Sequence, residues 1–239
     1  MVSKKKIILA IAVILILGIA VLGITVYTNY TQGKASFQGK HNILVLCVDP
    51  TEQRMGVGAV DMAFVIELND GKLGNVTPVY PGGLYDPSLN PPADLRSEGV
   101  DHWYLHDSLW TADLEEGTKR AQQIVKYNTG MNSDIVAVIT PDAIDAMVNT
   151  VGPVYSNGRE ITTDSLSFLR NDQDEHGATR GDAVEGLADG IINATRSSGK
   201  KADLLSTVVD QYSKGNIQVV PGDVFQKLVA YVGISNILS

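Results

Sequence analysis

The sequence predicts an α/β fold, a three-layer α/β/α sandwich with a mixed sheet, preceded by one transmembrane helix. Three observations lead to this prediction. Runs of apolar and β-branched residues predict buried strands, amphipathic segments alternate with them, and a charge-free segment of twenty residues lies near the N-terminus. After that segment about 200 residues remain, which suits one domain around a single hydrophobic core.

Four runs predict the strands of the sheet. The run NILVLCV over 42–48 is apolar throughout, as a central strand covered on both faces would be. The segments 59–68 and 72–80 flank Asn-Asp-Gly at 69–71, a strong signal for a hairpin turn. The run DIVAVI over 134–139 predicts a further buried strand. We therefore expect a sheet that is parallel in part and contains one hairpin.

Helices are predicted from apolar stripes and from their end signals. The first follows Asp113, which with Glu116 forms a capping pair. The second has Thr140 as N-cap, Pro141 at the first helical position and Gly152 as its stop. Three further amphipathic helices are predicted around residues 181–196, 201–213 and 223–232.

The N-terminal segment is predicted to be an uncleaved membrane anchor. Three lysines at 4–6 precede residues 7–26, and twenty helical residues span about 30 Å, the thickness of the hydrocarbon core. The lysines favour a cytoplasmic N-terminus. A cleaved signal peptide is the alternative, but its apolar region would be shorter and followed by a small-residue cleavage site. The predicted organisation is a cytoplasmic tail at 1–6, an anchor at 7–27, a linker at 28–40 and an extracytoplasmic domain at 41–239.

Charge and cysteine content limit the classes of function. The net charge is −8, and because the three N-terminal lysines fall before residue 28, the remaining chain carries −11. A broad nucleic-acid surface is therefore excluded, and a phosphate could be held only by a few placed arginines. The single cysteine, Cys47, excludes an intrachain disulfide, and its apolar surroundings indicate a packing role.

Two acidic residues lie where a sheet would expose a ligand site. Asp49 follows a buried strand, although Asp49-Pro50 is also an ordinary turn dipeptide. Asp61 interrupts an apolar strand, so its carboxylate must be paired, metal-bound or at the mouth of the sheet. Arg170 and Arg180 flank an acidic loop before a helix, where they could grip a phosphate or neutralise the neighbouring acids.

Other motifs carry weaker signals. His102 and His106 have a spacing that could bind a metal on a helix, but the surrounding aromatic residues indicate a packing patch. The sequence contains neither a nucleotide-binding loop nor a familiar hydrolase signature. The Asn-x-Ser/Thr triplets at Asn29, Asn75 and Asn193 permit glycosylation without establishing it.

The order of these motifs resembles the LytR-CpsA-Psr family of cell-envelope glycopolymer transferases over about two thirds of the chain. That family's first strand ends in Gly-x-Asp, which LVLCVDP matches at Asp49, and its second begins Arg-Ser-Asp-Thr, of which AVDM keeps the acid as Asp61. Phrases such as HNILVLCVDPTEQRMGVGAVDMAFVIEL and DAIDAMVNTVGPVY resemble more closely an uncharacterised family of membrane-anchored proteins from methanogenic archaea.

The resemblance implies a site for a lipid pyrophosphate and Mg²⁺. The family's Ile-Pro-Arg-Asp motif aligns with YPGG, so two glycines replace a charged pair, and about half of a later set of arginines is also missing. The implied phosphate ligands are Arg170, Arg180, Gly82 and Gly83, and the implied metal ligands are Asp61 and Asp49.

Two functions stay open at this point. We favour a non-catalytic or weakly active binder of polyprenyl-phosphate-linked or surface glycans, because electrostatic catalysis would need the charges that are missing. The alternative is an active phosphotransferase that moves a glycopolymer from a polyprenyl pyrophosphate carrier to a cell-surface acceptor. The expected location is the cell membrane, with a single-pass anchor and the domain outside.

Overall fold

The structure is a computed structural model that describes residues 28, 30–52, 55–156, 158–161, 165 and 180–238, with the backbone alone at 180–185 and 232–238. The predicted anchor at 7–26 lies outside these residues. Within the described part of the chain, no helix is both long enough and apolar enough to cross a membrane.

The described residues form a mixed α/β fold. In chain order the elements are β1 (Lys40–Asp49), β2 (Ala59–Asn69), β3 (Lys72–Val79), α1 (Ala93–Ser97), a 3₁₀ turn (Leu105–Asp107), α2 (Leu114–Thr129), β4 (Ile135–Ile139), α3 (Pro141–Val151), β5 (Val154–Ser156), β6 (Arg159–Ile161), α4 (Arg180–Ser198), α5 (Lys201–Ser213), β7 (Ile217–Val220) and α6 (Gly222–Leu238).

Five strands form the main sheet in the order β3-β2-β1-β4-β7, and β5 pairs with β6 in a separate hairpin. Strand β1 is parallel to β4, whereas the β1–β2, β2–β3 and β4–β7 pairs are antiparallel. The predicted mixed sheet is therefore confirmed. Strands β1, β3 and β4 all end at one edge, which we call the carboxyl edge of the sheet.

The β2–β3 hairpin turns at the residues that the sequence predicts. Asp70 and Gly71 both have positive φ, at 51° and 73°, which is the conformation that a tight two-residue hairpin turn needs. A Cβ at Gly71 would also lie 2.5 Å from the ring of Tyr231, so that ring would have to shift to admit it. The Asn-Asp-Gly turn thus fixes the register of the β2–β3 pair at the turn end.

Alternate residues of β1 face two separate cores, which explains why the strand is apolar throughout. Leu44, Leu46 and Val48 pack on one face with Ile124 and other residues of α2. Val45 and Cys47 point to the opposite face, where they pack with apolar residues of α3 and α4. Helices therefore cover both faces of the central strand.

Each predicted helix is present, and the end signals hold in part. The carboxylate of Asp113 accepts a hydrogen bond from the amide of Glu116, which confirms the predicted N-cap of α2. Thr140 occupies the N-cap position of α3 and Pro141 its first turn, but the Thr140 side chain makes no capping hydrogen bond. Helix α3 ends before Gly152, as predicted.

The range predicted as a linker contains structure of its own. Residues 30–36 are helical, and Phe37, only 1% exposed, packs with Leu68 and Ile135. The Tyr30 ring stacks on Tyr231 of α6, with ring centroids 6.1 Å apart. This segment therefore packs against the domain, which its polar composition did not indicate.

An imidazole–carboxylate contact joins the starts of β1 and β4 and makes stability depend on pH. His41 Nδ1 lies 2.6 Å from Asp134 Oδ2 and Nε2 lies 2.9 Å from the carbonyl oxygen of Gln38. Both partners are acceptors, so the doubly protonated ring is favoured, and the hydrogen bond to Asp134 raises the pKa of His41.

We expect the stabilisation from His41 to be fully present below its unfolded pKa of about 6.5 and to be lost as the pH rises through the higher folded pKa. Urea denaturation of the wild type and of His41→Gln between pH 5.5 and 9 measures this. The difference in free energy of unfolding between them should shrink as the pH rises. A difference that is constant over this range would contradict the assignment.

Candidate functional site

Asp49 is the last residue of β1 and is completely buried at the carboxyl edge. Its Oδ1 accepts hydrogen bonds from the amide of Thr51, at 2.8 Å, and from the Thr51 hydroxyl, at 2.6 Å. The side chain therefore stabilises the turn that follows it, in line with the turn interpretation of Asp49-Pro50. The same turn brings Glu52 back towards the sheet.

Asp61 lies at a β-bulge in β2. Cys47 pairs with Met62 and Val48 pairs with Val60, so Asp61 is an extra residue without a partner position on β1. A bulge of this kind redirects a side chain and is common beside functional sites. It explains how an acidic residue is accommodated within an otherwise apolar strand.

Asp49, Asp61 and Glu52 form an acidic cluster at the carboxyl edge. One carboxylate oxygen from each lies within 4.8 Å of the others. Asp49 and Asp61 were predicted as metal ligands, whereas Glu52 was missed, since a residue in an irregular turn gives no periodic signal. Three oxygen donors at this separation suit a hard divalent cation such as Mg²⁺ or Mn²⁺.

His106 borders the acidic cluster from the 3₁₀ turn. Its Nε2 lies 3.3 Å from Glu52 Oε2, and its Nδ1 lies 3.1 Å from the carbonyl oxygen of Val60. Both groups that the ring nitrogens face are hydrogen-bond acceptors. His102, by contrast, stacks on Tyr85 with ring centroids 3.9 Å apart, so the two histidines contact different groups.

A small, mainly apolar cavity adjoins the acidic cluster on the other side. Asp61 lines it together with residues of β1, β2 and α3: Cys47, Val48, Met62, Pro141 and Ile144. Its volume of about 10 Å³ suits no more than one water molecule. Burial raises the pKa of the Cys47 thiol to about 12, and the charge of Asp61 adds to this effect. Cys47 is therefore a packing residue, as predicted, and not a nucleophile.

Gly82 and Gly83 form a turn just beyond the end of β3. Gly83 has φ +78°, and the amide of Leu84 donates to the carbonyl oxygen of Pro81 at 3.4 Å. Both glycines are exposed, and a Cβ at either would contact nothing within 4 Å. The conformation of Gly83 explains one glycine, while the open space around both leaves their backbone approachable from solvent.

The two arginines predicted for the site are not placed by the structure. Arg170 lies outside the described residues, and Arg180 is described only as the first backbone position of α4. Their proximity to the acidic cluster and to the glycine turn therefore stays a prediction.

The fold is that of the LytR-CpsA-Psr proteins. The protein gbs0355 from Streptococcus agalactiae superposes with a TM-score of 0.58 at 17% identity, over 83% of this chain and 75% of its own. TagV of B. subtilis gives 0.50 at 11%, over 81% and 80%. TagT, solved bound to LIIa-WTA, gives 0.52 at 11%, over 82% and 76%. The resemblance inferred from sequence motifs is thus confirmed at the level of the fold.

The chain belongs to a family described as a protein of unknown function, DUF4012, whose model matches residues 38–173. The match begins just before β1 and extends beyond β6, and so includes the acidic cluster. The narrower resemblance to proteins from methanogenic archaea is not confirmed. A comparison with curated protein sequences finds no match.

Proposed function

We propose that this protein is a membrane-anchored, extracytoplasmic binder of polyprenyl-phosphate-linked or surface glycans, with little or no transferase activity. The acidic cluster of Asp49, Glu52 and Asp61 is the observation that carries the proposal. It lies at the carboxyl edge of the sheet, where α/β folds bind their ligands. A divalent cation held there would bridge the carboxylates and a phosphate, and would supply the positive charge that a domain of −11 lacks.

The exposed turn at Gly82-Gly83 supports a phosphate near this edge. Strand β3 ends beside the start of β2, since Val79 pairs with Ala63, so the turn and the acidic cluster share one edge of the sheet. Glycine amides can approach a phosphate closely, although they bring no net charge. Arg170 and Arg180 are the residues proposed to supply the positive charge of the phosphate site.

The fold neighbours support a glycan ligand. TagT is described as bound to LI-WTA in one structure and to LIIa-WTA in another, with TM-scores of 0.51 and 0.52 to this chain. At 11% identity the similarity is one of fold and not of chemistry. We therefore take from these complexes only the class of ligand, and we take the position of the site from the acidic cluster.

The missing charges argue against efficient transfer. Phosphoryl chemistry needs donors aimed at the charge that develops in the transition state, and each lost donor typically costs about 10² to 10³ in rate. Gly82 and Gly83 stand where the resembled family has an arginine and an aspartate. The three carboxylates at the carboxyl edge keep the phosphotransferase as the alternative, because a bound cation could still polarise a phosphate.

The test measures binding and turnover together. Full-length protein in detergent micelles is titrated with a soluble polyprenyl-pyrophosphate analogue, with Mg²⁺ and with EDTA. We expect binding that needs Mg²⁺, no steady turnover, and roughly tenfold or more weaker binding in Arg170→Ala and Arg180→Ala, since each removes a charge-assisted hydrogen bond. Binding that EDTA leaves unchanged would show that no cation takes part in the site. Steady turnover would favour the alternative function, an active phosphotransferase.

The proposed membrane location rests on the lysines at 4–6 and the charge-free residues 7–26. Protease added to intact cells should degrade the domain and leave a small anchor. A fully protected domain would refute the orientation while leaving the binding experiment unaffected.

A further inference from the structure

Two of the glycosylation triplets meet at one surface groove. Strand β3, at the open edge of the sheet, and helix α4 enclose a groove of about 530 Å³. Asn75 lines it from β3, and Asn193 lines it from α4. The triplets are Asn-Val-Thr, which Pro78 follows, and Asn-Ala-Thr, which Arg196 follows. Their local structures also differ.

The triplet in β3 presents both of its polar side chains to solvent. Asn75 and Thr77 are exposed, and residues two apart in a strand lie on the same face. Two residues of β3, Gly74 and Asn75, stand opposite the single residue Glu67, so the strand bulges there. The only described contact of the Asn75 amide is a long one, 3.5 Å from its Nδ2 to a carboxylate oxygen of Glu67.

The triplet in α4 is closed to a modifying enzyme. Asn193 is exposed, but Thr195 is only 9% exposed, and its hydroxyl donates to the carbonyl oxygen of Ile191 at 2.6 Å. Positions two apart on a helix do not face each other, so the amide and the hydroxyl cannot be recognised together. Recognition of this triplet would require the helix to open.

We propose that Asn75 is an N-glycosylation site of the folded protein and that Asn193 is not. The donor is a lipid-pyrophosphate-linked oligosaccharide. Asn75 Nδ2 forms a bond to C1 of its first sugar, the bond from C1 to the pyrophosphate oxygen breaks, the lipid pyrophosphate leaves with that electron pair, and Nδ2 loses one proton to solvent. The groove beside β3 has room for the first sugars. The modification in cells rests on the proposed extracytoplasmic location.

The experiment compares the two triplets within one chain. Folded full-length protein in detergent micelles, and the same protein denatured in urea and diluted, are incubated with a purified single-subunit oligosaccharyltransferase and its lipid-linked donor. Peptide mass spectrometry then gives the occupancy of each asparagine. In the folded protein we expect occupancy at Asn75 to exceed that at Asn193 by about tenfold or more, because only the latter needs local opening. In the denatured chain the two should approach each other.

Matched variants identify the chemistry. Thr77→Val keeps the shape of the side chain and should abolish occupancy at Asn75, whereas Thr195→Val should change nothing in the folded protein. Equal occupancy of the two asparagines in the folded state would overturn the proposal, and so would an Asn75 that stays unmodified in the folded protein. Because purified protein is used, the result does not depend on the glycan-binding function or on the location.

Discussion

Asp61→Asn is expected to weaken divalent-cation binding by about 10- to 100-fold, since a neutral amide replaces one of three charged ligands held within 4.8 Å of each other. The substitution keeps the size of the side chain at the bulge of β2, so the sheet should fold unchanged. Titration calorimetry of the full-length protein with Mn²⁺, followed by the polyprenyl-pyrophosphate analogue, measures the loss in two steps.

The matched control for this variant is Asp70→Asn. Asp70 is an exposed acid in the β2–β3 turn, at the end of the strands opposite the carboxyl edge. Asparagine tolerates its positive φ of 51°. Both variants change the net charge by the same amount, so a general electrostatic effect would appear in both. Equal cation affinity in Asp61→Asn and Asp70→Asn would remove the acidic cluster as the binding site.

The second large effect is expected at Arg120, which fastens α2 to the loop that carries His106. Arg120 is 5% exposed, its Nη1 donates to the carbonyl oxygen of Ser108 at 2.6 Å, and its guanidinium lies 3.3 Å from the centroid of the Trp103 ring. Trp103 in turn donates from Nε1 to the carbonyl oxygen of Asp107 at 2.9 Å. One guanidinium thus connects α2 to two positions of the loop, Trp103 and Ser108.

Arg120→Met should lower the free energy of unfolding by about 2 to 4 kcal/mol, because it removes the hydrogen bonds to Ser108 and Glu116 and a desolvated cation–π contact. Arg120→Lys should give an intermediate loss, because a lysine keeps the charge without the planar stacking surface.

Lys119→Met is the control. The Lys119 ammonium is exposed and, among the described residues, pairs only with Glu115, a contact worth less than about 1 kcal/mol. The urea midpoints of the three variants, measured at an unchanged m-value, give their differences in free energy of unfolding from the wild type. A similar loss in Arg120→Met and Lys119→Met would contradict the role of the guanidinium.

The parts of the fold that follow from the sequence are those with a periodic signal or a strong turn signal. The run 42–48, the Asn-Asp-Gly turn and the stripe of α2 each specify one arrangement, and the structure has all three. Strand β7 was missed because its four residues are too few to establish a period between two helices. The helical segment 30–36 was missed because tertiary packing of Phe37 overrides its polar composition.

The candidate site was predictable only where an acid interrupts or ends an apolar strand. Asp49 and Asp61 carry that signal, whereas Glu52 and His106 reach the carboxyl edge through a turn and a 3₁₀ segment. In irregular segments, tertiary contacts determine where a side chain lies, and no local sequence pattern reveals those contacts. The glycine turn was predicted as a loss of charge, and the structure adds that the φ of Gly83 suits a glycine at that position.

Because of the bulge, Asp61 is an inserted residue that takes no part in the alternation of side chains between the two faces of the sheet. Val60 packs in the core on the α2 side and Met62 in the core on the α3 side, although they are two positions apart. This is the placement that two adjacent residues of a regular strand would have. The carboxylate therefore lies at a position that belongs to neither core. A substitution there can change the chemistry of this edge without repacking the interior. The same scaffold can thus support binding, catalysis or neither.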